Sequence, residues 1–212
     1  MNPPFALKGS TDKEYFFVTQ ALSLMADGKI LFSLLPLGAL FGARDEKVWR
    51  RDELLAKNTL LAVVSLPEEL FYPAAQKQVA AIIVKKGIPH PKEQPVFWAR
   101  IAHDGHLKLK SKRLPAGELR PPRTERDQLP EVLPLLQSFI AHPGTGNVNQ
   151  PEFCKTMPID YSDPLLELLP EAYLDTSPLT PEILHRAVDD MARQTAAFLV
   201  RFGKEAAAEN YR

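Results

Sequence analysis

The sequence predicts an α/β fold, and three observations carry that prediction. Short apolar runs at Lys29–Leu35, Leu60–Leu66 and Val79–Val84 end at Pro36, Pro67 and the Lys85-Lys86-Gly87 triplet, the pattern of strands buried on both faces in parallel sheets. Charged amphipathic segments precede the first run and separate it from the second, giving the strand–helix alternation of a doubly wound sheet. From Val96 the grammar changes: twelve of the 20 prolines fall between Pro115 and Pro181, so that region is expected to hold short helices and extended connectors rather than sheet.

The first helix starts at Ser10-Thr11-Asp12-Lys13-Glu14, with Thr11 as N-cap and Glu14 closing a capping box. Tyr15, Val18, Leu22 and Met25 recur at helical spacing, and Asp27-Gly28 ends the helix with Gly28 in the left-handed position. After a glycine-containing loop at Pro36–Ala43, Asp45–Lys57 reads as a second amphipathic helix, stopped near Asn58. Pro67–Pro73 is a loop carrying Leu70, Phe71 and Tyr72, exposed or half-buried. Val96–Ile101 and Leu107–Leu109 flank His103-Asp104-Gly105-His106, which predicts a hairpin turning at Asp-Gly. Leu133–Ile140 reads as a short helix. Thr180-Pro181 opens the last helix, where Leu184, Val188, Met191, Thr195, Phe198 and Phe202 form a narrow seam fit for one partner helix.

Composition bounds the function. In 212 residues, 45% hydrophobic and 25% charged content is that of an ordinary globular protein with room for one core and an appendage. The 26 basic and 26 acidic residues cancel, so any nucleic-acid surface must be a local patch. A lone cysteine, Cys154, excludes a disulfide framework and fits a reducing, cytoplasmic setting; it has no basic or histidine neighbour to activate it. No basic start with an apolar core marks a signal peptide, and the apolar runs stop well short of a membrane span.

Asn2-Pro3-Pro4-Phe5 carries the chemistry. An exocyclic amine or amide nitrogen is a poor nucleophile because its lone pair is delocalised. An asparagine oxygen and the next carbonyl can accept both N–H hydrogens, drawing that nitrogen toward sp³ geometry and aiming its lone pair at a methyl donor. The two prolines pre-set the turn that holds the carbonyl, and Phe5 offers a flat face for a planar group. Taken alone, the tetrad also reads as a Pro-Pro turn.

The tetrad, the helix and strand Gly28-Lys29-Ile30-Leu31-Phe32, then Pro36-Leu37-Gly38, Ser65-Leu66-Pro67, Leu70-Phe71 and Ala80–Gly87 together resemble the second half of an adenine-specific DNA methyltransferase domain. The likeness is to the N-6 DNA methylases, the modification subunits of type I restriction–modification systems; it spans about Met1 to Arg113 and more weakly the tail. It implies the distal half of a Rossmann-like, S-adenosylmethionine-dependent sheet at residues 1–113, followed by a proline-rich connector and helical tail at 114–212. It further implies that Asn2 and Pro3 hold the target amine of an adenine extruded from DNA, that Pro4 shapes the turn and that Phe5 stacks on the base. The donor's glycine loop and acidic ribose ligand would precede the tetrad in this family, so the chain is expected to be a distal half, a truncated or cleaved piece inactive alone. The one downstream glycine motif, Pro143-Gly144-Thr145-Gly146, follows a predicted helix instead of a strand.

Other readings stay open. Lys108, Lys110, Lys112 and Arg113 are candidates for contacts to DNA phosphates or, equally, a solvated edge strand. His103, Asp104 and His106 read as a polar turn rather than a metal site, since no further ligand is near. The last helix could dock a specificity subunit, making the chain a non-catalytic interaction module, and the open sheet edge could close in a homodimer. The tetrad also serves methylation of RNA and of protein glutamine, a weaker reading.

Overall fold

The computed structural model describes residues 1–4, 13–74, 77–118, 126–143, 148–150 and 153–174, with isolated helical positions between 185 and 195. Two compact units emerge, Met1–Asp175 and Thr176–Arg212. Among the described residues, no helix is long and apolar enough to cross a membrane.

The first unit is built on a six-stranded mixed sheet. Its strands are β1 (Ile30–Pro36), β2 (Asn58–Ser65), β3 (Val79–Lys86), β4 (Val96–Arg100), β7 (Asn149–Gln150) and β8 (Cys154–Met157), in the spatial order β1-β3-β2-β4-β8-β7. Every residue of β2 is buried, as the uninterrupted apolar run requires of a central strand. The expectation of an all-parallel sheet is corrected in part. β3 inserts antiparallel between β1 and β2, leaving β2 and β4 as the parallel neighbours. β2 and β3 are joined by the Leu66–Gln78 connection, in which no helix is formed by the described residues, and the two strands pair antiparallel. β1 is accordingly an edge strand with Ile30 and Phe32 exposed on one face, not a strand buried on both.

Helices cover both faces. On one, α1 (Glu14–Leu24), α2 (Gly38–Phe41) and Trp49, Leu54 and Leu55, which follow α3 (Asp45–Val48), pack with the tail residues Ile159, Leu166, Leu168 and Tyr173. Tyr15, Val18 and Leu22 are the buried stripe of α1, as their spacing predicts. The helix starts at Glu14 after Lys13, which makes no side-chain cap; the predicted cap Thr11 lies outside the described residues. It ends at Leu24, before the predicted stop. Gly28, at φ 78°, instead turns the chain into β1. α3 continues as a π-helical segment, Trp49–Leu55, that ends where Asn58 begins β2. On the opposite face α4 (Leu129–Ala141) sets Val132 and Phe139 against Phe97, with the two phenyl rings 5.8 Å apart.

Two expectations about the second half are corrected. Val96–Arg100 does not form a hairpin with the residues after Asp104-Gly105; it enters the main sheet between β2 and β8, where its apolar side chains are buried. The hairpin pairs β5 (His106–Leu109) with β6 (Lys112–Pro115) and turns at Lys110-Ser111. The proline-rich region also contributes sheet, because Cys154–Met157 lies between prolines and is free to pair with β4. The expected helix at Leu133–Ile140 lies within α4, which accommodates Pro134 one turn from its start. Of the last helix, His185, Val188, Asp189, Met191 and Thr195 are among the described positions and are helical; most of the predicted seam lies outside the described residues.

Candidate active-site rim

Strands β1, β2 and β4 run in one direction, so Pro36, Ser65 and Arg100 end on one rim of the sheet. The first described residue pairs with β1. The Met1 nitrogen donates to the Phe32 carbonyl at 2.5 Å and the Leu34 nitrogen donates to the Met1 carbonyl at 3.0 Å. This is the hydrogen-bond pattern of a parallel pair about Ser33, with the chain heading toward the carboxyl end of β1. Pro3 is buried while Asn2 and Pro4 are exposed; Phe5 lies outside the described residues. A buried proline between exposed neighbours anchors the chain locally, and the carboxyl ends of the strands are where α/β sheets bind ligands.

The loop after β2 supports the rim. Leu70, Phe71 and Tyr72 are half-buried, as expected. The Tyr72 hydroxyl donates to the Lys110 carbonyl, and the Lys108 ammonium sits 4.3 Å from the Tyr72 ring centroid. Glu69 Oε2 accepts the Lys108 backbone N–H at 2.9 Å. These contacts dock the β5–β6 hairpin on the loop. Lys108, Lys110 and Lys112 are exposed there, while Arg113 turns inward to pair with Asp104 and to donate to the His106 carbonyl. Burial opposes ionisation of Asp104, but the Arg113 side chain and the His106 backbone N–H hold its carboxyl below the usual value.

Between the ends of β2 and β4 the rim opens into a crevice of about 470 Å³. Ser65 Oγ donates to Glu171 Oε2 at 2.9 Å, and Arg100 Nε lies 3.8 Å from Glu171 Oε1. Glu171 sits on the short helical turn Pro170–Ala172, 106 residues from Ser65, and no sequence signal links them. Its hydrophobic neighbours Leu169 and Tyr173 bring it there: Tyr173 stacks on Trp98 with centroids 3.7 Å apart and planes 2° apart.

Among the described residues no group of three histidine, cysteine or acidic side chains could hold a metal, and His103, Asp104 and His106 form a polar turn. Cys154 is buried, which pushes its thiol up to about 11 and leaves it inert. The one downstream glycine motif follows helix α4, and Gly144–Gly146 lie outside the described residues.

With that geometry in place, comparison with known proteins is informative. The model of the N-6 DNA Methylase family matches residues 3–122. A type II restriction enzyme and methyltransferase, RM.BcgI of Heyndrickxia coagulans, is 26% identical over 111 residues, covering 50% of this chain and 17% of that protein. The fold is similar to a chain from a type I restriction–modification system described for its complex assembly, with TM-score 0.54 and 16% identity over 100% of this chain and 45% of that one. It is also similar to the methyltransferase subunit of a type I system from Streptococcus thermophilus, with TM-score 0.52 and 19% identity over 76% of this chain and 30% of that one. This chain thus spans under half the length of each of these relatives.

Proposed function

The chain belongs to the N-6 DNA methylase family, and on that premise we propose that it supplies the target-amine half of an adenine-specific DNA methyltransferase in a restriction–modification system. The observation that supports the reading is the parallel pairing of Met1 with β1 about Ser33, which is followed directly by an exposed Asn2 and a buried Pro3. The Asn2 Oδ1 and the Pro3 carbonyl accept the two hydrogens of the exocyclic amine of an adenine extruded from the duplex. Pro4 holds the turn and Phe5 stacks on the base. Attack on the methyl carbon would form the N–C bond, break the donor's S–CH3 bond to leave a thioether, and give a cationic nitrogen that loses one proton to water, so the residues position and polarise. S-adenosylmethionine supplies the methyl group, from a cradle built by residues other than those described.

DNA approaches along the rim, where the exposed Lys108, Lys110 and Lys112 meet phosphates. Residues 114–212 supply the partner-binding region, through which a specificity subunit or a second copy of the chain docks. The helical positions Val188 and Met191 are 62% and 68% exposed and favour that partner role.

Two measurements test this. Asn2→Ala in the enzyme that carries this segment is expected to abolish methyl transfer to adenine while leaving the circular dichroism spectrum unchanged; retained transfer overturns the mechanism. Calorimetric titration of the chain with S-adenosylmethionine is expected to give no heat. Stoichiometric binding would overturn the assignment of the donor cradle to other residues.

A further inference from the structure

None of Met1–Pro4 lines the crevice at the ends of β2 and β4. Leu37, which follows β1, forms one wall, and Ile101, which follows β4, forms the other. Strands in a sheet are about 4.8 Å apart, so the Ser65 end of β2 is displaced from β1 by two strand spacings, or ~10 Å, on the side away from the tetrad. That is the span of a few nucleotide steps, each about 3.4 Å along a duplex.

The lining has the chemistry of a planar, uncharged, polar-edged ligand. Leu66, Pro67, Ile101 and Leu107 provide apolar walls. Its arginines are engaged by carboxylates, Arg100 beside Glu171 and Arg113 paired with Asp104, while Glu69 accepts only the Lys108 backbone N–H and Glu68 the Gln78 amide. A phosphate would gain little there. What remains on the walls is rich in acceptors, with the carboxylates of Glu68 and Glu171 among the lining groups. Glu171 Oε1 is 3.8 Å from Arg100 Nε, an ion pair too long for a hydrogen bond, and so keeps lone pairs for a donor. A carboxylate accepts from the exocyclic amine of cytosine and repels the carbonyl oxygen of thymine or uracil. The volume of about 470 Å³ lies within the usual range for small-ligand sites.

We propose that this crevice is a second nucleobase subsite, taking an amine-bearing base, cytosine above all, that flanks the methylation target on the same DNA. The inference rests on DNA being the substrate, and it adds a sequence preference supplied by the methyltransferase chain itself. Glu171 is the specificity-determining residue, with Ser65 and Arg100 holding its orientation.

Amide-correlation NMR of the chain, titrated separately with cytidine monophosphate, uridine monophosphate and inorganic phosphate, tests it. Cytidine monophosphate is expected to shift the Ser65, Ala102 and His103 signals saturably, and uridine monophosphate to bind about fivefold or more weakly. Glu171→Gln, whose amide both donates and accepts, is expected to erase that preference. If that variant does not fold, Ser65→Ala, which removes the hydrogen bond that orients Glu171, is expected to weaken that preference. Equal shifts from inorganic phosphate alone, no shift from any probe, or an unchanged preference in the folded variant overturns the proposal. Asn2→Ala is expected to leave the crevice shifts intact. Shifts confined to Ser33–Pro36 would therefore sink the crevice while sparing the tetrad, and methyl transfer retained in Asn2→Ala would do the reverse.

Discussion

Arg50 donates its Nε–H to the carbonyl of Leu166, 116 residues along the chain, at 2.9 Å. The same guanidinium, fully buried, reaches the carbonyls of Ala39 and Gly42 on the α2 side and of Leu165 on the tail. One side chain thereby ties the turn after β1, which flanks the tetrad, to the tail segment that carries Glu171. Burial lowers the guanidinium pKa from its ordinary value, and the carboxylates of Glu46, Glu167 and Asp163 oppose that shift. Arg50→Ala leaves four carbonyls without a donor, and the expected loss in urea unfolding is about 3 kcal/mol or more. Arg50→Lys, a point donor in place of a fork, should recover less than half. Wild-type stability in Arg50→Met would mean that desolvating the charge cancels all of its bonds.

His90 predicts an acid-sensitive fold. The ring is 7% exposed and neither Nδ1 nor Nε2 has a hydrogen-bond partner. Burial pushes its pKa down to about 4, against 6.5 for the ordinary group. The unfolded chain therefore binds a proton that the folded chain refuses, so stability is full above pH 6.5 and falls as the pH drops toward about 4. The loss is at most about 3 kcal/mol at one site. His90→Phe is expected to flatten urea stability across that window. An unchanged pH slope would assign the sensitivity elsewhere.

The Arg50 clamp and the His90 pocket also mark the limit of what the sequence reveals. Periodicity located α1 through Tyr15, Val18 and Leu22, and the apolar run Leu60–Leu66 located most of the buried β2, because each is decided by its own local pattern. The likeness to the N-6 DNA methylases was legible because its motifs are short and contiguous. The insertion of β3 between β1 and β2 was not, since apolar runs record burial and not strand direction. Ser65 and Glu171 meet only because Tyr173 stacks on Trp98, a contact between distant segments with no periodic signature. Arg50 looked like one more charge on a helix surface, and its burial depends on where the tail folds back.

The hairpin lysines predict a graded salt dependence. Lys110 and Lys112 are exposed and no hydrogen bond or ion pair engages their ammonium groups, whereas the Lys108 ammonium caps the Tyr72 ring. If they meet DNA phosphates, Lys110→Gln and Lys112→Gln should each reduce the slope of log K against log salt by about 0.9, alike for all sequences. Lys108→Gln should reduce it less. Arg113→Gln should act differently, loosening the hairpin because Asp104 loses its partner. Equal slopes in all four variants, measured by fluorescence anisotropy, would remove the hairpin from the DNA interface.

Gly28 and Gly87 predict unequal costs for the same substitution. Both adopt positive φ, 78° and 90°, where a side chain is strained, and both border the β1–β3 pair. A Cβ on Gly28 would meet nothing within 4 Å, so Gly28→Ala should cost only the backbone strain, about 1 kcal/mol. A Cβ on Gly87 would lie 2.7 Å from Asp27 Cγ. Gly87→Ala should therefore cost about 1–2 kcal/mol more than Gly28→Ala, because Asp27 must move and give up its 3.6 Å approach to Lys86. The Asp27 carboxyl is largely exposed and can swing away, but its Cβ, 2.9 Å from the added atom, moves only with the backbone. Adding Asp27→Gly to Gly87→Ala should therefore return more of that excess than adding Asp27→Ala, in double-mutant cycles read by urea unfolding. No coupling between the two sites would show that strain at φ 90° alone governs Gly87.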